Sequence, residues 1–296
     1  MKMYIEEFMK RFDYPKEAKE ELTKVMEGME EEKEALRIFE ELLRIYQEDK
    51  DCDPEAIFSR TGEIAGLIDR HVYEVDALLL IAMTQHLHIL YEMEGYSETM
   101  WEEGAADLKY KLLECRMVKG IWGNFVPLWE MGFFDLTRFA FGRLQFEVVT
   151  YDGRAFDDGK CKIASGQRVI NVHVPRTGTS LTKEACDASY RVAKVFFEEK
   201  YQESLPFFIF SWILYPPYKK LFSPKANLYR FTGDYAVIGT VEDQSPDDNL
   251  WRLFDMDWTG DVNDYPEDTT LRRKMKEYLR GQGTTGSGYG VFDLQL

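Results

Sequence analysis

The chain has 296 residues, enough for about two domains, and its content of 45% hydrophobic and 15% aromatic residues excludes global disorder. No stretch approaches the roughly 18 uninterrupted apolar residues of a membrane span, and the acidic start MKMYIEEFMKRFDY lacks the basic-then-apolar pattern of a signal peptide. The net charge of −16 opposes binding to nucleic acid and to anionic membranes. These features predict a soluble, cytoplasmic protein.

The acidic excess belongs almost wholly to the first half of the chain. Residues 1–142 hold 17 Lys and Arg against 31 Asp and Glu, a net charge of −14, whereas residues 143–296 hold 20 against 22, a net charge of −2. Only the second half therefore has a charge balance that tolerates an anionic cofactor.

The first half is predicted to be an all-helical domain over residues 1–120. Apolar residues recur at three-and-four spacing over Ala18–Glu48, which predicts one helix. Asp53 is the expected N-cap of a second helix that starts at Pro54. A third helix is expected over Val72–Met93, and Ser97 opens a fourth. No strand pattern longer than four residues precedes Phe139.

The pattern changes after Gly120. Residues 121–141 form an aromatic, Gly- and Pro-punctuated connecting segment, and residues 142–296 are predicted to form a mixed α/β domain. The predicted strands are Phe139–Tyr151, Val169–Val174, Pro206–Leu214, Asn227–Phe231, Tyr235–Val241 and Gly288–Leu294; the predicted helices are Thr182–Tyr201, a short one after Pro216-Pro217, and Thr270–Arg280. The overall fold class is thus α+β.

No metal site is expected. The cysteines lack CxxC and C-x-H spacing, which predicts free thiols: Cys52, Cys115, Cys161 and Cys186. His86 and His88 would lie about 200° apart on a helix, so they cannot ligate one ion together. The Asp-rich segment Asp243–Asp264 lacks EF-hand spacing and is predicted to be a loop.

The most informative segment is the junction between the strand at Val169–Val174 and the following helix. The small-residue turn at residues 176–180 leads into that helix N-terminus, where converging backbone N–H groups and the helix dipole favour a phosphate. Strand alternation places Asn171 and His173 on the face opposite Ile170, Val172 and Val174. The wholly apolar strand Pro206–Leu214 then arrives after the helix, as a buried central strand would.

This order of strand, loop, helix, strand and helix resembles the acyl-CoA half of a GNAT fold. The chain resembles a family of N-acyltransferases that join a helical amino-terminal domain to a GNAT-like carboxy-terminal domain. The matching segments, collinear over residues 142–296, are Ile170–Pro175, Glu184–Ser189, Ser211–Leu214, Asn227–Phe231, Asp268–Arg273 and Gly288–Gly290.

The resemblance implies that two central strands splay apart and that the gap takes the pantetheine arm of acyl-CoA. It implies direct transfer, in which an amine attacks the thioester carbonyl and His173 takes the proton directly or through a water. Ser211 would orient that water or the carbonyl, and Tyr218 would protonate the leaving thiolate. The expected cofactor contacts are Val174, Arg176, Thr177, Gly178, Thr179, Ser180 and Trp212.

Two functions from different classes remain open at this point. The first is an acyl-CoA-dependent N-acyltransferase that moves an acyl group, expected to be acetyl, to a small-molecule or peptide amine. The second is a non-catalytic GNAT-like binding module, because the GNAT loop pattern Gln/Arg-x-x-Gly-x-Gly/Ala is departed from at Pro175 and Ser180. The basic run from Arg272 to Arg280 is either a solvated helix face or a contact for the cofactor 3′-phosphate.

Overall fold

The computed structural model describes residues 1–48, 52–245 and 248–294, and the chain divides into two compact units, Met1–Phe139 and Ala140–Leu296. The segment 121–141 contains a helix, and its role as a connection stays a prediction. Among the described residues, no helix combines the length and apolar character that crossing a membrane requires.

In the described part of residues 1–120 the regular secondary structure is helical, as the sequence predicts, and the first strand begins only at Arg138. The helices of the first unit are α1 (Lys2–Arg11), α2 (Lys16–Glu31), α3 (Lys33–Glu48), α4 (Pro54–Phe58), α5 (Thr61–Leu67), α6 (Val72–Met93), α7 (Glu98–Lys119) and α8 (Pro127–Phe134). The predicted caps are present: the Asp53 carboxylate accepts the N–H of Glu55, and the Ser97 hydroxyl accepts the N–H of Met100. Helix α6 has the predicted bounds, and most of its residues are buried.

The prediction of one helix over Ala18–Glu48 is wrong, because the segment forms two helices. Glu32 between them has an extended backbone, with φ −100° and ψ 96°. No residue between Met29 and Ala35 is buried, so nothing in this acidic stretch anchors a continuous helix against the core.

The second unit is built around a mixed sheet of six strands. The strands are β1 (Arg138–Phe141), β2 (Leu144–Thr150), β5 (Arg168–His173), β6 (Phe207–Ser211), β7 (Ala236–Glu242) and β8 (Gly286–Phe292), in the order β1-β2-β5-β6-β8-β7. Strands β3 (Phe156–Asp157) and β4 (Lys162–Ile163) form a separate hairpin. The helices are α9 (Lys183–Tyr201), α10 (Pro216–Lys219), α11 (Asn227–Thr232), α12 (Trp251–Phe254) and α13 (Thr270–Arg280). This architecture confirms the predicted α+β class.

The two faces of the sheet have different surroundings. On one face α9 packs through Tyr190, whose ring centroid lies 5.1 Å from that of Phe207 and 4.9 Å from that of Phe292. On the other face a smaller core joins the sheet to the β3–β4 hairpin, and it comprises Tyr151, Cys161, Ile163, Val169 and Val291.

Three of the predicted strands of this unit need correction. The strand at Phe139–Tyr151 is two strands, because Gly142 with φ +61° turns the chain between β1 and β2. The strand at Pro206–Leu214 ends at Ser211, and Trp212–Leu214 is a 3-10 turn. Asn227–Phe231 is not a strand but lies in α11, because a five-residue apolar-polar pattern does not separate helix from strand by itself.

The segment Asp243–Asp264, predicted to be a loop, contains the short helix α12 and a 3-10 turn at Val262–Asp264. Its residues 246–247 lie outside the described part of the chain.

Candidate functional site

Strands β5 and β6 run parallel but pair over only two positions. Ile170 is level with Phe207 and Asn171 with Phe208, and the pairing stops there although β5 continues to His173 and β6 to Ser211. Beyond Asn171 the two strands therefore leave a gap in the middle of the sheet. This separation of two central strands is the feature that the resemblance to GNAT folds led us to expect.

His173, at the end of β5, forms a polar cluster with Glu147 of β2 and with Asn171. Its Nε2 lies 2.8 Å from Glu147 Oε1, and the Asn171 amide donates to the same carboxylate oxygen over 3.1 Å. The side chains of His173 and Glu147 are 18% and 16% exposed. In the neutral imidazole this hydrogen bond fixes the proton on Nε2 and the basic lone pair on Nδ1.

Sequence reasoning missed the part of Glu147 in this cluster, although the signal for it was present. Glu147 alternates with Phe146 and Val148 in β2, which places it on the polar face. The antiparallel register sets it directly opposite Asn171, and Gln145 opposite His173. The pairing register, which sequence does not supply, was the missing step.

The loop that precedes α9 contains a left-handed glycine and a run of exposed residues. Gly178 has φ +77°, which favours glycine, and a Cβ there would meet nothing within 4 Å. Residues 178–180 are exposed, and the Thr179 N–H donates to the Thr177 hydroxyl over 3.2 Å. Thr182 caps α9 by accepting the N–H of Ala185.

Arg176, expected to reach a phosphate, is engaged elsewhere. Its guanidinium makes a two-point ion pair with Asp255, in which Nη2 lies 2.9 Å from Oδ2. Asp255 also accepts from Arg272 of α13 over 2.5 Å. The carboxylate therefore holds the start of the loop to α13, and Arg176 has a structural partner as well as a place in the loop.

Ser211 and Tyr218 take no part in the hydrogen bonds that join His173, Glu147 and Asn171. The Ser211 hydroxyl accepts the N–H of Ile213 over 3.3 Å and caps the 3-10 turn. Tyr218 is fully buried, with the rings of Tyr215 and Tyr278 centred 5.0 and 5.9 Å away. Burial raises the pKa of Tyr218 well above its usual range. The structure thus brings His173, Asn171 and Glu147 together, whereas these two residues make other contacts.

Basic side chains of helix α13 form hydrogen bonds within the fold. Lys276 is buried and donates to the backbone carbonyls of Asn263 and Tyr265 over 2.7 and 2.6 Å. Arg280 donates to the side chain of Asn263. Across residues 1–48, 52–245 and 248–294, no group of three or more His, Cys, Asp or Glu side chains is arranged to hold a metal ion.

Comparison with known proteins finds a matching family model for each of the two units. The family model of the GNAT-like C-terminal domain matches residues 138–292, and that of the N-acyltransferase N-terminal domain matches residues 3–136. No curated protein sequence matches the chain.

Three solved structures share the fold over nearly the whole chain. An acyltransferase in complex with decanoyl-CoA is 19% identical, with a TM-score of 0.72. An acyltransferase mutant in complex with octanoyl-CoA is 18% identical, with a TM-score of 0.75. An acyltransferase in complex with decanoyl-CoA and teicoplanin is 17% identical, with a TM-score of 0.73. Each alignment covers 98% of this chain and 87% of the other. The two family models together span residues 3–136 and 138–292, and the chain belongs to the N-acyltransferases that carry a GNAT-like C-terminal domain.

Proposed function

We propose that the chain transfers an acyl group from acyl-CoA to an amine, with His173 as the general base. The observation that carries the proposal is the His173–Glu147 pair at the point where β5 and β6 separate. Family membership supports the reaction class, and the acyl-CoA complexes of the similar structures support the donor.

In the proposed reaction a neutral amine attacks the thioester carbonyl carbon, a C–N bond forms and the C–S bond breaks. His173 takes the proton that the nitrogen loses, and Glu147 stabilises the resulting imidazolium. Backbone N–H groups that face the gap hydrogen-bond the carbonyl oxygen as it becomes negative. The departing CoA thiolate needs one proton, and the amine supplies one, so the imidazolium can return it without any other acid.

We also propose catalytic roles for Ser211 and Tyr218, and the structure supports the role of Ser211 better than that of Tyr218. The Ser211 hydroxyl accepts one hydrogen bond and keeps its own proton, with which it can orient the carbonyl or a water. Tyr218 would protonate the thiolate, but its raised pKa makes it a weaker acid than an imidazolium. We therefore expect a small contribution from Tyr218.

For the cofactor, we propose that the pyrophosphate binds the backbone of Thr177–Ser180 at the N-terminus of α9. Arg176 would fix the start of this loop through Asp255 and add positive charge. Val174 follows β5 and Trp212 follows β6, so these two half-buried residues flank the gap that would take the pantetheine arm.

The acyl length and the acceptor are the finer parts of the proposal. Acetyl is the group expected from sequence, whereas the similar structures hold octanoyl-CoA and decanoyl-CoA. Two of the similar structures include teicoplanin or an acylated form of it, which supports a small-molecule or peptide-like acceptor here. A panel of acetyl-CoA, octanoyl-CoA and decanoyl-CoA decides between the donors.

The test measures binding and turnover separately. Each acyl-CoA should raise the melting temperature, since a ligand at 100 times its Kd stabilises the folded state by about 2.7 kcal/mol. His173→Ala should lower turnover by about 10²–10⁴-fold while acyl-CoA affinity stays within about threefold. His86→Ala, in helix α6, is the control and should be active. Binding without turnover in the wild-type protein would leave the non-catalytic binding module as the function.

A further inference from the structure

An aromatic strip lies on the same face of the sheet as His173. We define the strip as Phe208 and Phe210 of β6 and Tyr289 of β8. The rings of Phe210 and Tyr289 are stacked, with centroids 4.4 Å apart and planes inclined by 25°, and those of Phe208 and Tyr289 are 6.0 Å apart. The rings of Phe208 and Phe210 therefore each lie nearly parallel to that of Tyr289, and the strip is a cluster of stacked rings.

Strand register places this strip beside the His173 cluster. Asn171 is level with Phe208, and the same register carried two residues along each strand sets His173 across the gap from Phe210. Phe210 and Tyr289 are directly opposite each other in the β6–β8 ladder. The strip thus starts at the edge of the gap and extends away from it across the next strand.

Phe210 is the exposed member of the strip although its strand lies inside the sheet, whereas Phe208 and Tyr289 are half-buried. Phe208 sits against Tyr151 of the hairpin core, with ring centroids 5.6 Å apart, but Phe210 further along β6 is 47% exposed. Gly239 of β7 pairs with Tyr289, and a Cβ there would lie 3.4 Å from the tyrosine ring. A glycine at this position therefore leaves more room beside the ring than a larger residue would. An exposed ring that is held by stacking on a second ring, as Phe210 is on Tyr289, can offer its outer face to an aromatic ligand.

The side of the sheet indicates which substrate would use the strip. Helix α9 packs on the face of Tyr190 and Phe207, and the loop proposed for the cofactor phosphates leads into the N-terminus of this helix. The attacking amine must come within reach of His173, and hence from the opposite face, where the strip lies. The carboxylate of Glu147 on that face also attracts an ammonium group.

We propose, on the basis of the proposed function, that the aromatic strip is an acceptor subsite that favours amines carrying a flat aromatic group over amines with an aliphatic group of similar size. The aromatic group would stack on the exposed ring of Phe210, which Tyr289 holds in place by stacking against it, while the amine nitrogen reaches toward His173. Ring stacking beyond simple burial corresponds to a selectivity of about two- to tenfold.

The experiment compares 2-phenylethylamine with 2-cyclohexylethylamine, and reads acyl transfer as release of the CoA thiol. Wild-type protein should show the higher kcat/KM with the phenyl amine. Phe210→Leu and Tyr289→Leu should each reduce the phenyl-to-cyclohexyl ratio by about two- to tenfold and leave the KM for acyl-CoA unchanged. The ratio between variants cancels the different basicities of the two amines. Val237→Ala is the control, since Val237 is 43% exposed on β7 and pairs with Gly290, not with a strip residue.

An unchanged ratio in both variants would overturn the proposal. So would a changed preference between acetyl-CoA and octanoyl-CoA with no change in the amine ratio, because the strip would then hold the acyl chain. If the wild-type protein transfers to neither amine, the proposed function fails for these acceptors, and the strip is tested by binding alone. Saturation-transfer NMR should then show contact between the phenyl amine and the wild-type protein that Phe210→Leu loses, and equal signals for both proteins would overturn the proposal.

Discussion

Replacement of Glu147 by glutamine tests whether the carboxylate acts through His173. The substitution keeps the size of the side chain but removes the charge that faces His173 Nε2 at 2.8 Å. Hydrogen bonds to charged groups contribute about 1.5–3 kcal/mol. Because the bond is strongest once His173 carries a proton, its loss falls on the transition state and should lower kcat by about 10- to 100-fold.

The assay is a double-mutant cycle on kcat with Glu147→Gln, His173→Ala and the double variant. If Glu147 acts only by positioning and stabilising the imidazole, the double variant should be no slower than His173→Ala alone. Glu147→Asp, which restores the charge on a shorter side chain, should recover part of the loss. Melting temperatures of the variants control for loss of the fold. Losses that multiply in the double variant would refute the reasoning, as would full activity in Glu147→Gln.

Three further predictions concern the loop, Tyr218 and a buried carboxyl group. Gly178→Val should weaken acyl-CoA binding about tenfold in calorimetry, because a left-handed backbone costs a β-branched residue about 1–2 kcal/mol. Gly166 has a similar φ of +81°, so Gly166→Val is the control and should bind acyl-CoA normally. Tyr218→Phe should keep kcat within about threefold and should not lower the melting temperature. The reason is that the Tyr218 hydroxyl is buried and faces the Gly286 amide without good hydrogen-bond geometry. A hundredfold loss of kcat would instead identify Tyr218 as the acid. Burial raises the pKa of Asp76 to about 7 from 3.8, so the folded state holds a proton that the unfolded state releases, and stability should fall as pH rises from about 4 to 7. Asp76→Asn should flatten that fall in denaturant titrations by up to about 4 kcal/mol, and parallel curves for the two proteins would contradict the assignment.

The elements that sequence predicted well are those whose signals are local. Helices α6 and α13 have the expected bounds, because apolar periodicity and capping residues mark both ends within a few positions. The strand that carries His173 and the loop at Gly178 were likewise visible in one continuous segment.

What sequence could not supply depends on pairing between distant residues. Glu147 meets His173 across 26 positions and Arg176 meets Asp255 across 79, and no periodicity within one segment reports either contact. The burial of Tyr218 is equally non-local, since Tyr278 and Gly286 help to enclose it. Local pattern therefore placed the candidate base correctly on its strand, and only the fold identified what surrounds it.

The position of β8 between β6 and β7 has a kinetic consequence. Ser211 pairs with Gly288 and Glu242 with Gly286, so the ladders on both sides of β8 join residues far apart in the chain. Loops of that length must close before their hydrogen bonds contribute any stability, and folds rich in such contacts form on the slow end of the range, in milliseconds to seconds. The gap beside His173 is bordered by β6, whose other edge is completed only by β8. The candidate site therefore acquires its final geometry only once the ladder between β6 and β8 has formed.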